Sequence, residues 1–185
     1  MRSLILFALC GMHLFCAAQN GRLRTTATEI SFGSVAPLET IRATNVKATG
    51  LIDPADRTFA VRIPVAEFVG FNSPLQREHF NENYLVTSKW PTASFQGRII
   101  EAVDLSRAGN YSARAKGSLT VRGVTRERII PVRITVDGSG VHITSTFDVV
   151  LDEHGIRIPR VVQQKIAAVV QVKAALHFGA EAGDK

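Results

Sequence analysis

The feature that most constrains the fold is the stretch YSARAKGSLTVR at residues 111–122, in which small or apolar side chains alternate without a break with charged or hydroxyl ones. Because successive side chains of a β-strand point to opposite faces of a sheet, this pattern predicts a long strand with one dry and one wet face. The dry face comprises Tyr111, Ala113, Ala115, Gly117, Leu119 and Val121. Half of these residues are alanine or glycine. Such small side chains fill a core poorly, so we expect something else to occupy the space beside this strand.

Similar alternation recurs along the chain and predicts further strands. They cover residues 23–28, 30–34, 41–52, 59–65, 93–99, 130–136 and 141–151. A helix is possible over residues 165–178, but the shared parity of Ile166, Val170, Val172 and Leu176 suits a closing strand better. Residues 123–128 are expected to be a polar connection, and residues 137–140, DGSG, a hairpin turn because glycine permits positive φ.

One short helix is expected to interrupt the strands, near residues 74–84. Ser73 can cap its start, Pro74 suits the first helical position, and Gln76 completes the SxxQ pattern of a capping box. Seven or eight long antiparallel strands with one helix predict an all-β sandwich or a closed barrel. A barrel leaves no exposed sheet edge, which favours solubility outside the cell.

The first 18 residues have the layout of a secretory signal peptide, with a basic start, an apolar run and small residues before the cleavage point. The apolar run is shorter than the about 20 residues of a membrane-spanning helix. Cleavage after Ala18 would remove Cys10 and Cys16, so the mature chain would have no disulfide and no cysteine-based metal site. We therefore expect a secreted or periplasmic protein with a single domain over residues 19–185.

Three stretches, in this order, resemble motifs of the YceI family, which are secreted bacterial proteins with a lipocalin-like barrel. SPLQREHFNENYLVTSKWPTASFQGRI resembles the family's R-[DE]-H-[FL] helix followed by lysine or tyrosine and P-T-x-x-F, and GSLTVRGVTRERIIPVRI resembles its G-x-L-T-x-[RH]-G-V-T signature. FDVVLDEHGIRIP resembles a late YGI element, with His154 in place of its tyrosine. The resemblance spans roughly residues 22–178 and implies a single antiparallel eight-stranded lipocalin-like barrel.

The resemblance also implies non-enzymatic binding or transport of a long-chain amphiphile, such as a polyisoprenoid, an isoprenoid quinone or a fatty amide, in the cell envelope. An eight-stranded barrel is either filled by side chains or holds one small ligand, and the small residues Ala93, Gly97, Ala113, Ala115 and Gly117 favour a tunnel. The residues expected to line this tunnel are Phe32, Phe59, Val61, Phe80, Tyr84, Phe95, Tyr111, Leu119 and Phe147. In the alternative interpretation, aromatic residues plug the barrel, and the protein has a structural, stress-related or membrane-surface role.

Arg77 and His79 in the expected helix have two alternative roles. Either side chain could contact the head group of an amphiphile at the barrel mouth. Equally, each could anchor the helix to neighbouring strands by hydrogen bonds.

The basic residues are concentrated in one segment. The formal net charge is +6 at pH 7, and residues 107–133 hold seven basic residues and one acidic residue, whereas the charges of the remaining chain cancel. The expected basic surface patch comprises Arg114, Lys116, Arg122, Arg126 and Arg128. It suits either anionic lipid head groups or a solvated surface that prevents aggregation. If the patch docks on a membrane, replacing Arg114, Lys116 and Arg122 with Gln should abolish liposome binding at low salt.

Catalysis and nucleic-acid binding have little support in the sequence. The histidines show neither HxH nor HExxH spacing, no GxSxG motif occurs, and no nucleic-acid-reading motif is found. We expect no enzymatic activity, no metal site and no cofactor, apart from an isoprenoid or quinone bound as ligand. Members of the family are often dimeric, so the resemblance leaves a homodimer open.

Overall fold

In the computed structural model, which describes residues 21–179, the alternating segments form one antiparallel β-sheet. The predicted signal peptide, residues 1–18, lies outside the described residues. The strands are β1 (Leu23–Val35), β2 (Thr40–Asn45), β3 (Thr49–Asp53), β4 (Thr58–Pro64), β5 (Thr92–Ile99), β6 (Gly109–Val121), β7 (Val124–Asp137), β8 (Gly140–Val150) and β9 (Val169–Gly179).

The sheet closes into a barrel because β1 is paired on both of its edges. One edge pairs with β9 from Arg24 to Gly33, and the other pairs with β2 at residues 30–35 and with β3 at residues 23–24. β2 and β3 therefore lie end to end and share one position around the barrel, which gives eight positions. This confirms the predicted eight-stranded antiparallel barrel.

The expected single strand over residues 41–52 is interrupted at residues 46–48, and the buried Asn45 explains the break. Its Nδ2 donates to Pro64 O at 2.7 Å, and its Oδ1 accepts from Lys47 N at 2.8 Å. The bond from Lys47 N two residues on is the one that an asparagine side chain accepts in a turn. Elsewhere, two expected strands are joined into one. The strands expected over residues 23–28 and 30–34 form the continuous β1, which has an irregularity between Thr25 and Ala27.

The expected polar connection at residues 123–128 is wrong, because β7 already begins at Val124. β6 and β7 are joined by a tight turn at Arg122 and Gly123, whose φ angles are both positive, at 50° and 72°. Two consecutive positive φ angles are typical of the turn that best matches the twist of a hairpin. Thr125 and Glu127 are exposed after this turn, whereas Arg126 and Arg128 share the parity of the buried Ile130. The hairpin is therefore longer than the apolar pattern alone indicates.

The short helix is confirmed as α1 (Pro74–His79), which continues into a π-helical turn at Phe80–Tyr84. Ser73 Oγ accepts from Gln76 N at 3.2 Å, and Gln76 Oε1 accepts from Asn72 N at 3.1 Å, so the cap is built almost as the sequence predicts. Over residues 21–179, no helix combines the length and the apolar character needed to cross a membrane.

The interior differs between the two ends of the barrel. At one end, here the closed half, a contiguous buried cluster fills the space: Ile52, Ile99, Val103, Leu105, Ala113, Ala115, Val132, Ile134, Val136, Val141 and Phe178. At the other end, here the open half, α1, the β1–β2 connection and residues 151–168 surround the mouth of the barrel. Inward-facing side chains of the open half, such as Phe32 and Phe80, are only half buried.

The dry face of β6 spans both halves of the barrel, and its two alanines lie in the closed half. Ala113 and Ala115 are buried against larger side chains from other strands. Gly97 and Gly117 face each other in the β5–β6 ladder, where a methyl group on Gly117 would overlap the Gln96 carbonyl group and lie 2.9 Å from Gly97 Cα. These two glycines therefore permit a close approach of two backbones rather than leaving space for a ligand.

Candidate ligand-binding cavity

The open half contains an internal cavity of about 500 Å³. Its wall is formed by side chains from β1, β2, β4, α1, the ends of β5, β6, β8 and β9, and the connections at this end, and most of these side chains are apolar. The volume lies within the about 300–1,000 Å³ range of small-molecule sites, and such sites are mostly apolar with a few polar groups. The shape and chemistry of the wall suit an apolar chain.

Four phenylalanines form a cluster on the helix side of this cavity. The rings of Phe32 and Phe80 are stacked with centroids 5.4 Å apart, Phe68 lies edge-on to Phe32 at 5.3 Å, and Phe71 lies 5.1 Å from Phe80. Sequence reasoning finds Phe32 and Phe80 but misses Phe68 and Phe71. Both precede α1 in an irregular connection, where no alternation of side chains indicates which residues point inward.

The polar residues of the wall are concentrated at the mouth. Glu39 Oε1 accepts hydrogen bonds from Gln76 Nε2 at 2.9 Å and Asn72 Nδ2 at 3.3 Å, which ties α1 to the β1–β2 connection. His79 and Lys165 also line the cavity, and neither side chain has a hydrogen-bonding partner within residues 21–179. The mouth thus offers two donors that are available to a polar head group.

Five of the predicted lining residues contact the main cavity, and four contact a smaller one. Phe32, Phe80, Tyr84, Leu119 and Phe147 line the main cavity. A second cavity of about 70 Å³ lies deeper in the barrel and is lined in part by Phe59, Val61, Phe95 and, again, Phe147. Because Phe147 lines both, its ring stands between them.

Tyr111 lies away from both cavities. Its hydroxyl group donates to Arg107 O at 2.8 Å, and its ring packs against the cluster of the closed half. Its position at the start of β6 places it at the opposite end of the barrel from the main cavity. Alternation predicts correctly that the ring points inward, but it does not indicate how far along the barrel the ring lies.

The two head-group candidates on the helix have different surroundings. Arg77 Nη2 donates to Ala66 O at 2.9 Å, which fixes α1 to the short 3₁₀ turn at Val65–Glu67. This contact matches the helix-anchor alternative for Arg77. His79 lines the cavity mouth and is exposed, so it occupies the position required of a head-group ligand.

Tyr84 lies in a partly buried part of the cavity wall. Burial raises the pKa of its phenol, because the apolar surroundings disfavour the charged phenolate. The side chain therefore remains neutral and presents a largely apolar ring to the cavity.

Most of the predicted basic patch is engaged in contacts within the protein. Arg114 pairs with Glu101 at 2.8 Å, Arg128 pairs with Glu153 at 3.2 Å, and Arg126 Nε donates to Glu153 O at 2.9 Å. Arg122 donates to Gly155 O and lies over the ring of Trp90, with its guanidinium carbon 5.2 Å from the centroid. Among the five residues, only Lys116 has no side-chain partner within the described part of the chain.

No group of three or more His, Cys, Asp or Glu side chains is positioned to hold a metal ion in the described range 21–179. His154 is fully buried, and its Nδ1 lies 3.0 Å from Val124 O, so it packs the bend after β8 against the start of β7. His142 and His177 stack on each other with centroids 4.0 Å apart, at the far end of the barrel from the cavity.

A closed antiparallel barrel with an apolar cavity beneath a short helix defines the class of lipocalin-like barrel proteins. The sequence also matches the family model of the YceI-like domain over residues 16–178, which is most of its length. The chain therefore belongs to the YceI-like family, and this confirms the resemblance found in its three motifs.

Solved structures of similar fold agree with this assignment. BcnA from Burkholderia cenocepacia superposes with a TM-score of 0.69 at 17% identity, covering 83% of this chain and 96% of that one. A polyisoprenoid binding domain from Saccharophagus degradans, implicated in plant cell wall breakdown, gives 0.71 at 13% identity, covering 88% and 99%. The YceI protein of Campylobacter jejuni gives 0.54 at 11% identity, covering 98% and 99%. At these identities the likeness concerns the fold alone, and no curated protein matches the sequence.

Proposed function

We propose that this protein is a non-enzymatic binding protein that holds the apolar tail of a long-chain amphiphile in the cavity of its open half. The observation that carries the proposal is the apolar cavity of about 500 Å³ inside a barrel whose other half is filled by a buried cluster, apart from a cavity of about 70 Å³. Each buried methylene contributes about 0.8 kcal/mol before the cost of association is subtracted. A long hydrocarbon can therefore be bound tightly with few polar contacts.

The head group of the amphiphile belongs at the mouth, next to His79 and Lys165. Both side chains line the cavity there and are exposed. Tyr84 and the phenylalanine cluster behind them would contact the first carbons of the tail. A neutral or anionic head group with hydrogen-bond acceptors fits this arrangement best.

A polyisoprenoid, an isoprenoid quinone and a fatty amide are the three ligand classes proposed. The polyisoprenoid binding domain from Saccharophagus degradans, which shares the fold, supports the first of these. Together with the signal-like N-terminus, a cavity of this kind supports a role in holding or transporting the amphiphile in the periplasm or outside the cell. A bound isoprenoid or quinone would be the cargo rather than a cofactor.

Organic extraction of the purified protein, followed by mass spectrometry, tests the proposal. We expect a long-chain amphiphile at close to one molecule per chain. The matched variants are Val121→Trp, which fills the wall of the main cavity, and Ile129→Trp, which adds the same side chain to the exposed outer face of β7. The first should lose the ligand, and the second should retain it.

Repeated absence of any long-chain compound from the unaltered protein would contradict the proposal. So would equal ligand content in the two tryptophan variants. Either result would favour the alternative of a barrel that acts through its surface.

A further inference from the structure

Large apolar side chains are exposed around the mouth of the cavity. Val161 is 90% exposed, Leu38 66% and Leu75 56%. They lie on three different segments: the 3₁₀ turn Arg160–Val162, the β1–β2 connection and α1. These three residues are here called the rim.

Hydrogen bonds hold the three rim segments together at one end of the barrel. Leu38 N donates to Gln164 O at 2.8 Å, which ties the β1–β2 connection to the segment that carries Val161. The bond from Gln76 to Glu39 ties the same connection to α1. Residues adjacent to the rim, including Gln76 and Val162, line the cavity, so the rim is continuous with the ligand site.

The rim is flanked by cations that have no partner among the described residues. Residues 154–179 contain four lysines or arginines and no aspartate or glutamate. Arg157, Arg160 and Lys165 are exposed, and their side chains form no hydrogen bond or ion pair within residues 21–179. The predicted basic surface patch is different, because four of its five basic side chains already form hydrogen bonds or ion pairs within the protein.

We propose that the rim is the surface by which the protein docks on a lipid bilayer that contains anionic lipids. Exposed apolar side chains beside unpaired cations match the two components of interfacial membrane binding, which are inserted apolar area and attraction to anionic head groups. The inference rests on the proposed function, because an amphiphile that leaves the cavity through the mouth then passes directly into the bilayer. Three acidic residues, Glu39, Glu78 and Glu82, lie on the β1–β2 and helix sides of the mouth and are repelled by an anionic surface, so the contact is centred on Val161.

Two pairs of matched variants test the docking surface by co-sedimentation with vesicles. The first pair compares a rim serine variant with a wall serine variant. The rim variant combines Leu38→Ser, Leu75→Ser and Val161→Ser. The wall variant combines Ile100→Ser and Ile129→Ser, which remove exposed apolar side chains from the barrel wall. The second pair compares a rim glutamine variant with a wall glutamine variant. The rim variant combines Arg157→Gln, Arg160→Gln and Lys165→Gln. The wall variant combines Arg98→Gln, Lys116→Gln and Arg133→Gln on the outer faces of β5–β7. The vesicles contain equal amounts of phosphatidylcholine and phosphatidylglycerol, and mass spectrometry establishes the N-terminus of each purified protein.

We expect the rim serine variant to lose vesicle binding by roughly tenfold or more. The rim glutamine variant should bind roughly a hundredfold more weakly at low salt, since each basic residue near an anionic surface contributes about 1 kcal/mol. Both wall variants should bind as the unaltered protein does. Near-ultraviolet circular dichroism checks that every variant is folded.

Unchanged vesicle binding in the folded rim variants, or an equal loss in the wall variants, would overturn the docking proposal. A change of oligomeric state in the rim variants without a change in vesicle binding would also overturn it and would assign the rim to contact between copies. Ligand content is measured separately by extraction. Vesicle binding by a protein that contains no ligand would therefore contradict the proposed function while leaving the docking surface intact.

Discussion

The two halves of the barrel are built from the same strands but have opposite interiors. In the closed half, inward side chains such as Ile134, Val141 and Phe178 are at most 1% exposed and pack against one another. In the open half, inward side chains from the continuation of these strands surround a cavity of about 500 Å³. The comparison shows that strand alternation decides which side chains point inward, whereas the end structures decide whether the interior is filled.

The connections at the two ends of the barrel also differ, with hydrogen-bonded turns at the closed end and exposed apolar residues at the open end. At the closed end, Asp56, Asp104 and Asp137 accept hydrogen bonds from hydroxyl and backbone donors two residues further on, which fixes the turns. At the open end, the connections over residues 65–91 and 151–168 are the long ones, and exposed apolar side chains such as Leu38, Leu75 and Val161 lie on the connections there. A hydrogen-bonded base and an apolar mouth suit the proposed binding of an amphiphile.

The largest expected effect is on the stability of the closed half. Phe178→Ala should lower the free energy of unfolding by about 3–5 kcal/mol, because it leaves a cavity in a packed core. Phe32→Ala should cost clearly less, because one side of that ring already faces the cavity. Urea-induced unfolding measures both losses, and equal losses would contradict the distinction between the halves.

A second effect concerns the close approach of β5 and β6. Gly117→Ala should lower the free energy of unfolding by about 1–3 kcal/mol, because the new methyl group overlaps the Gln96 carbonyl group. Gly33→Ala is the matched control, since no atom lies within 4 Å of the methyl group added there. Chemical denaturation compares the two variants. A stable Gly117→Ala protein would restore the interpretation that these small residues leave space for a ligand.

A third effect tests whether Phe147 sets the depth of the ligand site. Phe147→Ala should join the two cavities, so that the protein binds longer chains than before, at about 0.8 kcal/mol for each additional buried methylene. Leu151→Ala, which lines only the main cavity, should widen the site without deepening it. Competition among fatty amides of increasing chain length measures the shift. The same preferred length in both variants would refute this role of Phe147.

The smallest expected effect is the acid sensitivity of the closed end. Hydrogen bonds from the side chains and then the backbones of Thr58, Ser106 and Ser139 lower the pKa values of Asp56, Asp104 and Asp137, respectively. Since the folded pKa values lie below those of the unfolded chain, these carboxylates contribute stability above about pH 4. That contribution is lost as the pH falls through the folded values.

Amide hydrogen exchange at these turns measures the effect. Exchange at residues 53–58 and 137–140 should accelerate on acidification relative to the intrinsic exchange rate, whereas the mouth should change little. In Ser139→Ala, the pKa of Asp137 should rise toward its ordinary value in an NMR titration. An unchanged pKa would show that the serine hydroxyl group does not stabilise the carboxylate.

Much of the fold could be predicted from the sequence because alternation and cap residues act locally. The capped helix after Ser73 and the DGSG turn follow from short-range chemistry and are confirmed. The break at Asn45 could not be found in this way, because it depends on a contact with the distant Pro64. The early start of β7 does not follow from the sequence, because residues 125–128 are polar on both parities and show no apolar alternation.

The cavity was less predictable than the fold. Five of its lining residues follow from alternation and family motifs, but Phe68 and Phe71 lie in an irregular connection. Of the five small residues that favour a tunnel, Ala93 lines the main cavity and Ala115 lines the smaller one. Gly97 and Gly117 instead permit a close approach of two backbones, which one strand alone does not show because it depends on the strand opposite.

Intermolecular NMR contacts between a bound amphiphile and methyl-labelled protein test the central claim most directly. The predicted result is a set of nuclear Overhauser effects from the tail to the methyl groups of Ile30, Leu119 and Val172, which line the main cavity. No such effects should reach Ile52 or Ile134 in the closed half. Contacts confined to the outer surface, or distributed equally over both halves, would contradict the account.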